Sequence, residues 1–119
     1  MSDRQAVETT VHLYVEGMAF GNAGALKKAF HPQASIIGNY QGAVEWLTRD
    51  AFIEAVLAEE SADPASQPFM DIHSIDVAGD TASAKVTDDF AGLRFTDLLS
   101  LLKVDGHWQI VSKVYYIHP

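Results

Sequence analysis

The strongest constraint on this chain lies in residues 90–119, FAGLRFTDLLSLLKVDGHWQIVSKVYYIHP, two long strand-like runs broken at Val104-Asp105-Gly106. Side chains along a strand alternate between two faces, so a ribbon this long presents one face that must be buried. Its register decides which one. A three-residue loop over Val104, Asp105 and Gly106, with Gly106 in the left-handed conformation, is a common hairpin connection and pairs Lys103 with His107. It sets Leu102 opposite Trp108, Ser100 opposite Ile110 and Leu98 opposite Ser112 on one face. On the other face Asp97 meets Lys113, flanked by Phe95, Leu99, Val111 and Tyr115. Opposite charges facing each other across strands add roughly 0.2–1 kcal/mol, which a one-residue slip would forfeit along with the sorting of faces. A two-residue turn at Asp105-Gly106 would instead oppose Lys103 to Trp108 and Asp97 to Val114, mixing charged and apolar residues on both surfaces.

The rest of the chain supplies what covers such a ribbon. From Asp3 to Phe20, Val7, Val11, Tyr14, Val15 and Met18 recur at helical spacing, with Ser2 or Asp3 as the cap. Gly21-Asn22 ends that helix. A shorter one over Ala23 to Phe30 stops at His31-Pro32, because proline disfavours a helical residue before it. Ala34 to Tyr40 and Ala43 to Leu47 form two strands, and Thr48 caps a third helix carrying Phe52, Ile53, Val56 and Leu57 to about Glu60. Residues 61–68 (SADPASQP) form a polar connection. Phe69 to Ala78 and Thr81 to Ala91 make a second hairpin about Gly79-Asp80, whose register pairs Val77 with Ala82, Ile75 with Ala84, His73 with Val86, Asp71 with Asp88 and Phe69 with Phe90.

Three helices leading into a long hairpin sheet give an α+β fold in a single domain spanning 1–119. The helices pack on one face of a strongly curved, mostly antiparallel sheet that forms a cone with an internal pocket. Composition narrows the function classes. Sixteen acidic residues against eight Lys and Arg give a formal charge of −8, which repels nucleic acid and anionic membrane surfaces. No cysteine is present, so disulfides and thiolate metal sites are excluded and the chain suits a reducing cytoplasm. The five histidines are scattered without metal-ligand spacing, and neither a Gly-rich phosphate loop nor a nucleophile elbow occurs, so no metal or cofactor is expected.

The order of elements, ending in Asp105-Gly106-His107-Trp108-Gln109-Ile110, resembles the nuclear transport factor 2-like superfamily, the cone fold shared with ketosteroid isomerase-like and SnoaL-like proteins. More narrowly, residues 26–34 (LKKAFHPQA), 95–103 (FTDLLSLLK) and 108–113 (WQIVSK) are similar to the family described as "putative lumazine-binding". The resemblance covers nearly the whole chain and implies a fold with a pocket. It does not assign chemistry, because the superfamily includes isomerases, dehydratases, epoxide hydrolases, polyketide cyclases and binding modules.

Three groups of residues carry candidate chemistry. Asp71, His73 and Asp88 fall on one partly apolar face, where two opposed carboxylates cannot both ionise cheaply and one becomes a proton donor or acceptor with His73 as partner. The alternative is a solvated rim. Asp97, Lys113 and Tyr115 would orient a polar ligand group, or form a structural ion pair. Tyr14 matches the helical hydroxyl that in the resembled isomerases reaches into the cone; a core tyrosine is the plainer reading. Tyr40, Trp46, Phe69, Phe90 and Phe95 would line a pocket for a flat ligand. The face bearing Leu98, Leu102, Trp108, Ile110 and Val114 is left uncovered and would pair with a second copy. If Trp108 and Ile110 point at the helices instead, the Asp97–Lys113 pair moves outward. The expectation is a homodimeric small-molecule-binding protein for a small, partly apolar ligand. The alternatives are a cofactor-independent lyase or isomerase using a pocket carboxylate or histidine as general base, and a protein-interaction module whose cone is filled.

Overall fold

A computed structural model describes residues 1–119. Its elements follow the order α1 (Asp3–Ala19), α2 (Ala23–Ala29), β1 (Phe30–Tyr40), β2 (Ala43–Thr48), α3 (Arg49–Leu57), β3 (Met70–Ala78), β4 (Thr81–Phe90), β5 (Leu93–Val104) and β6 (His107–Ile117). The strands form one sheet in the order β2-β1-β6-β5-β4-β3. Only the β1–β6 contact is parallel. The helices lie against the concave face, and the sheet curls around them without closing. No helix is long and apolar enough to cross a membrane.

Helix α1 begins with a capping box: the Ser2 hydroxyl accepts from the Gln5 amide, while the Gln5 side chain accepts from the Ser2 amide. Its buried stripe of Val7, Val11, Tyr14, Val15 and Met18 meets Leu26, Phe30, Ile36, Leu99, Leu101 and Ile110 in one core. Asp3 fastens the start of the helix to the last ribbon, accepting from Lys103 Nζ at 3.1 Å and Trp108 Nε1 at 3.2 Å. Those two donors hold its carboxyl below the usual range.

The last ribbon departs from the three-residue loop. Val104 pairs with His107 and Lys103 with Trp108, so Asp105-Gly106 is a two-residue turn with both φ angles positive, at 50° and 81°. A bulge then makes Val111 the extra residue, since Leu101 faces Ile110 but Ser100 faces Ser112. A bulge exchanges the faces of the strand beyond it. Trp108 and Ile110 before it, and Lys113 and Tyr115 after it, therefore all point into the core. A uniform register cannot place all four inward. Asp97 consequently lies opposite Tyr115, and Lys113 opposite Leu99, which corrects the expected Asp97–Lys113 pairing. On the outer face Leu98, Leu102, Val114 and Tyr116 remain exposed; Trp108 and Ile110 do not belong to that surface.

The β3–β4 hairpin holds a second bulge. Near its turn the pairs are those expected, Val77 with Ala82 and Ile75 with Ala84, but His73 is the extra residue. Asp71 thus faces Thr87, and Met70 faces Asp88. Ile72 and Met70 turn toward the core, while Asp71 and His73 turn outward.

Three of the four hairpins use X-Gly turns with both residues at positive φ: Gln41-Gly42, Ala91-Gly92 and Asp105-Gly106. Ala91, at φ 53°, is the poorest fit, since a left-handed conformation costs an ordinary L-residue about 1–2 kcal/mol. Asn visits it more easily, and Asn-Gly is the favoured pair for this turn. Ala91→Asn is expected to raise stability by about 1 kcal/mol in urea unfolding monitored by circular dichroism.

Candidate functional site

The curl of the sheet leaves a cavity of about 190 Å³ between α3, the end of α1 and the inner faces of β1, β2, β5 and β6. Its apolar wall includes Met18, Ile36, Leu47, Phe52, Val56, Phe90 and Phe95. Lys113, Glu45, Glu59, Tyr40 and Tyr115 add the polar atoms. Tyr40 and Leu93, 37% and 38% exposed, mark the mouth.

Each wall residue is placed by a local rule. β2 leaves β1 through the Gln41-Gly42 turn, which pairs Ile36 with Leu47 and Ile37 with Trp46. Ile36 is buried, so Leu47 shares its inward face and Glu45 follows two residues earlier. Val44 and Trp46 are left outside, each 69% exposed. The expected placement of Trp46 in the pocket is thereby corrected: the turn sets the face of this edge strand, and its more apolar residues point away. The Tyr115 hydroxyl donates to Glu45 Oε1 at 2.8 Å and is pushed upward in pKa by burial and by that carboxylate. Its ring lies directly over Gly38, where an added Cβ would stand 2.5 Å from a ring carbon. A side chain at that position would push Tyr115 off the cavity wall.

Three buried ionisable side chains gather here: Lys113 on the wall, at 4% exposure, and Asp88 and Asp97 behind it, at 0%. Asp97 is opposite Val86 and Asp88 opposite Phe95, so the two carboxyls are diagonal neighbours on the inner face. The Tyr14 hydroxyl donates to Asp97 Oδ2 at 2.7 Å. Asp97 Oδ1 and both Asp88 oxygens have no other donor. Asp88 is the group that keeps a proton here, which it can offer to the neighbouring Asp97 carboxyl. Burial, followed by the bond to Asp97 and its charge, pushes the Asp88 carboxyl up to about 9, against a smaller pull from Lys113. The Tyr14 hydroxyl is raised by the same burial and by the Asp97 carboxylate beside it.

Of the residues singled out in the sequence, Tyr40, Phe90, Phe95, Lys113 and Tyr115 lie on the cavity wall. Tyr14 and Asp97 stand behind it, joined to each other. Phe69 is 43% exposed and stacks under the Arg94 guanidinium at 4.4 Å, outside the cavity. Asp71 and His73 do not meet Asp88, because the bulge at His73 turns them to the outer face. There His73 Nε2 bonds Thr87 Oγ1 at 2.7 Å, starting a chain through Thr96 Oγ1 to His118 Nε2. None of Asp71, His73 and Asp88 lines the cavity. Glu45 is not among the residues the sequence singles out; the Gln41-Gly42 turn is the signal for it, since counting from that turn fixes which β2 residues face inward.

The raised Asp88 carboxyl has a thermodynamic consequence with a definite sign. The folded chain keeps a proton that the unfolded chain releases near pH ~4. Stability contributed by this group is full below that pH and is lost as pH rises towards about 9, at up to ~1.4 kcal/mol per pH unit. Asp88→Asn keeps a donor for Asp97 without the titrating proton. Its urea-unfolding free energy is expected to be flatter with pH than that of the parent between pH 5 and pH 9.

This architecture has known counterparts. The family described as "Putative lumazine-binding" matches residues 2–116. A crystal structure of an NTF-2-like protein of unknown function from Silicibacter pomeroyi DSS-3 is 42% identical and superposes with a TM-score of 0.90, covering 96% of this chain and 94% of that one. An NTF2-like protein of unknown function from Shewanella baltica OS155 is 31% identical, with a TM-score of 0.86 over 97% of this chain and 93% of its own. Among curated proteins, "Aldolase FrzH" of Cladobotryum sp. is 27% identical over 118 residues, 99% of this chain and 94% of that protein. The chain therefore belongs to the putative lumazine-binding family of the nuclear transport factor 2-like superfamily.

Proposed function

We propose that the protein binds a small, partly apolar organic molecule in the cavity and works as a homodimer. The observation that carries the binding reading is the unfilled space itself. Protein interiors pack to crystal density and leave few voids larger than a water, so about 190 Å³ of open volume beneath a curled sheet is space kept for something else. A filled cone, as an interaction module would have, does not fit that volume. The cavity is smaller than the roughly 300–1,000 Å³ of pockets for drug-sized ligands, which favours a ligand of one or two rings. Aromatic walls from Phe52, Phe90, Phe95 and Tyr115 suit a flat one.

Dimerisation is supported by the outer face. Leu98 and Val114 are paired across β5 and β6 and are 54% and 43% exposed, and Tyr116 at 57% continues the patch. An apolar surface spread over neighbouring strands fits a two-fold contact in which each sheet covers the other.

A second reading, a cofactor-independent lyase or isomerase, is favoured by the relative named as an aldolase, aligned along almost the full length of both chains. Its general base would not come from Asp71 or His73, which face outward. Glu45 is the carboxylate that reaches the cavity with a hydrogen-bonded partner, and it is the residue through which proton abstraction next to a carbonyl would run.

Sedimentation velocity at micromolar concentration is expected to give a dimer, and Leu98→Asp a folded monomer; a monomeric parent protein would refute the assembly. Ligand-observed NMR with a library of one- and two-ring fragments is expected to give binders whose signals are lost in Ala55→Trp, which fills the cavity from its exposed helical wall. Bound ketones whose α-protons exchange in D₂O with the parent protein but not with Glu45→Gln would establish the catalytic reading. Binding without exchange would leave a carrier or sensor.

A further inference from the structure

Lys113 is the most unusual side chain of the interior. Its Nζ lies 4.6 Å from the ring centre of Phe52, 5.0 Å from Tyr14, 5.6 Å from Tyr115 and 5.8 Å from Phe95. An ammonium has three donors, and the single hydrogen-bond contact here is the Met18 sulfur, a weak acceptor, at 3.9 Å. It takes part in none of the protein's salt bridges. Aromatic faces stabilise a cation's charge but leave its directed hydrogen bonds unmade. Buried charges are otherwise paired, because desolvating one without a partner is costly. Neither nearby carboxyl comes within ion-pair distance of its Nζ, and Asp97 accepts from the Tyr14 hydroxyl instead. What remains open to Lys113 is the cavity it lines.

The two acidic side chains on the wall lie farther out. Glu59 is on the exposed side of the helix end, and Glu45 is committed to the Tyr115 hydroxyl. The cavity thus carries a buried cation and carboxylates in its more exposed part, a polarity that orients a ligand with one anionic end.

We propose, resting on the reading of the cavity as a small-molecule site, that its ligand is a planar organic anion whose carboxylate, enolate or phenolate oxygen is held by Lys113, with its ring between Phe52, Phe95 and Tyr115. Anion and cation each gain the partner that burial demands. A charge-assisted hydrogen bond to Nζ replaces the thioether contact. A formal charge of −8 disfavours anions at long range, so a preference for an anion must arise locally.

The test compares matched pairs: benzoate, nicotinate and cinnamate against benzamide, nicotinamide and cinnamamide, titrated by ligand-observed NMR into the full chain and into Lys113→Met and Lys113→Arg. The parent protein is expected to bind at least one acid ten-fold or more tighter than its amide. Lys113→Met should erase that preference while amide binding persists, and Lys113→Arg should retain it. Folding of each variant is checked by circular dichroism. Acids and amides binding equally would overturn the anion assignment and leave the small-molecule site standing. A preference surviving in Lys113→Met would overturn it by placing the anion elsewhere. Neither class binding the folded parent protein would refute the small-molecule reading and this inference together.

Discussion

Burial of charge is the constraint to which the rest of this fold answers. Asp88, Asp97 and Lys113 lie within one small interior, and none is tolerable there alone. The proton that Asp88 retains removes a negative charge. The Tyr14 hydroxyl satisfies an oxygen of Asp97 and ties α1 to the middle of β5. Four aromatic rings take the place of water around the ammonium. The Tyr14 contact from α1 and the aromatic residues of the cavity wall are what enclose these groups. An ordinary apolar core would ask for none of them.

Much of the fold was legible because its signals are local. The stripe of Val7, Val11, Tyr14, Val15 and Met18, the Thr48 cap and the Gly79-Asp80 turn each dictate their own few residues, and all appear where the sequence places them. Register was less legible, because a bulge leaves no fixed mark in composition. At His73 and at Val111 one extra residue reverses every face beyond it, and alternation read through such a point assigns half the strand wrongly. Sorting charged from apolar residues across the last ribbon favours a three-residue loop. The protein achieves that sorting with a tighter turn and a later bulge.

The site was legible to the same extent and for the same reason. Asp88 was marked by the cost of an acid on an apolar face, which holds wherever its partner comes from. The partner is Asp97 across β4–β5, because the bulge removes Asp71. Trp46 shows the limit of composition as a guide: it is large and aromatic, yet on an edge strand whose turn fixes the opposite face inward. Glu45 and Leu47, less conspicuous in sequence, occupy the wall in its place.

The bulge at Val111 also divides the last strand into two segments with separate obligations. Trp108 and Ile110 pack in the core with α1, whereas Lys113 and Tyr115 line the cavity. A break in register between them means that side chains beyond it can be exchanged without re-aligning those before it. In this chain the contact with α1 and the lining of the cavity are therefore set by separate stretches of one strand.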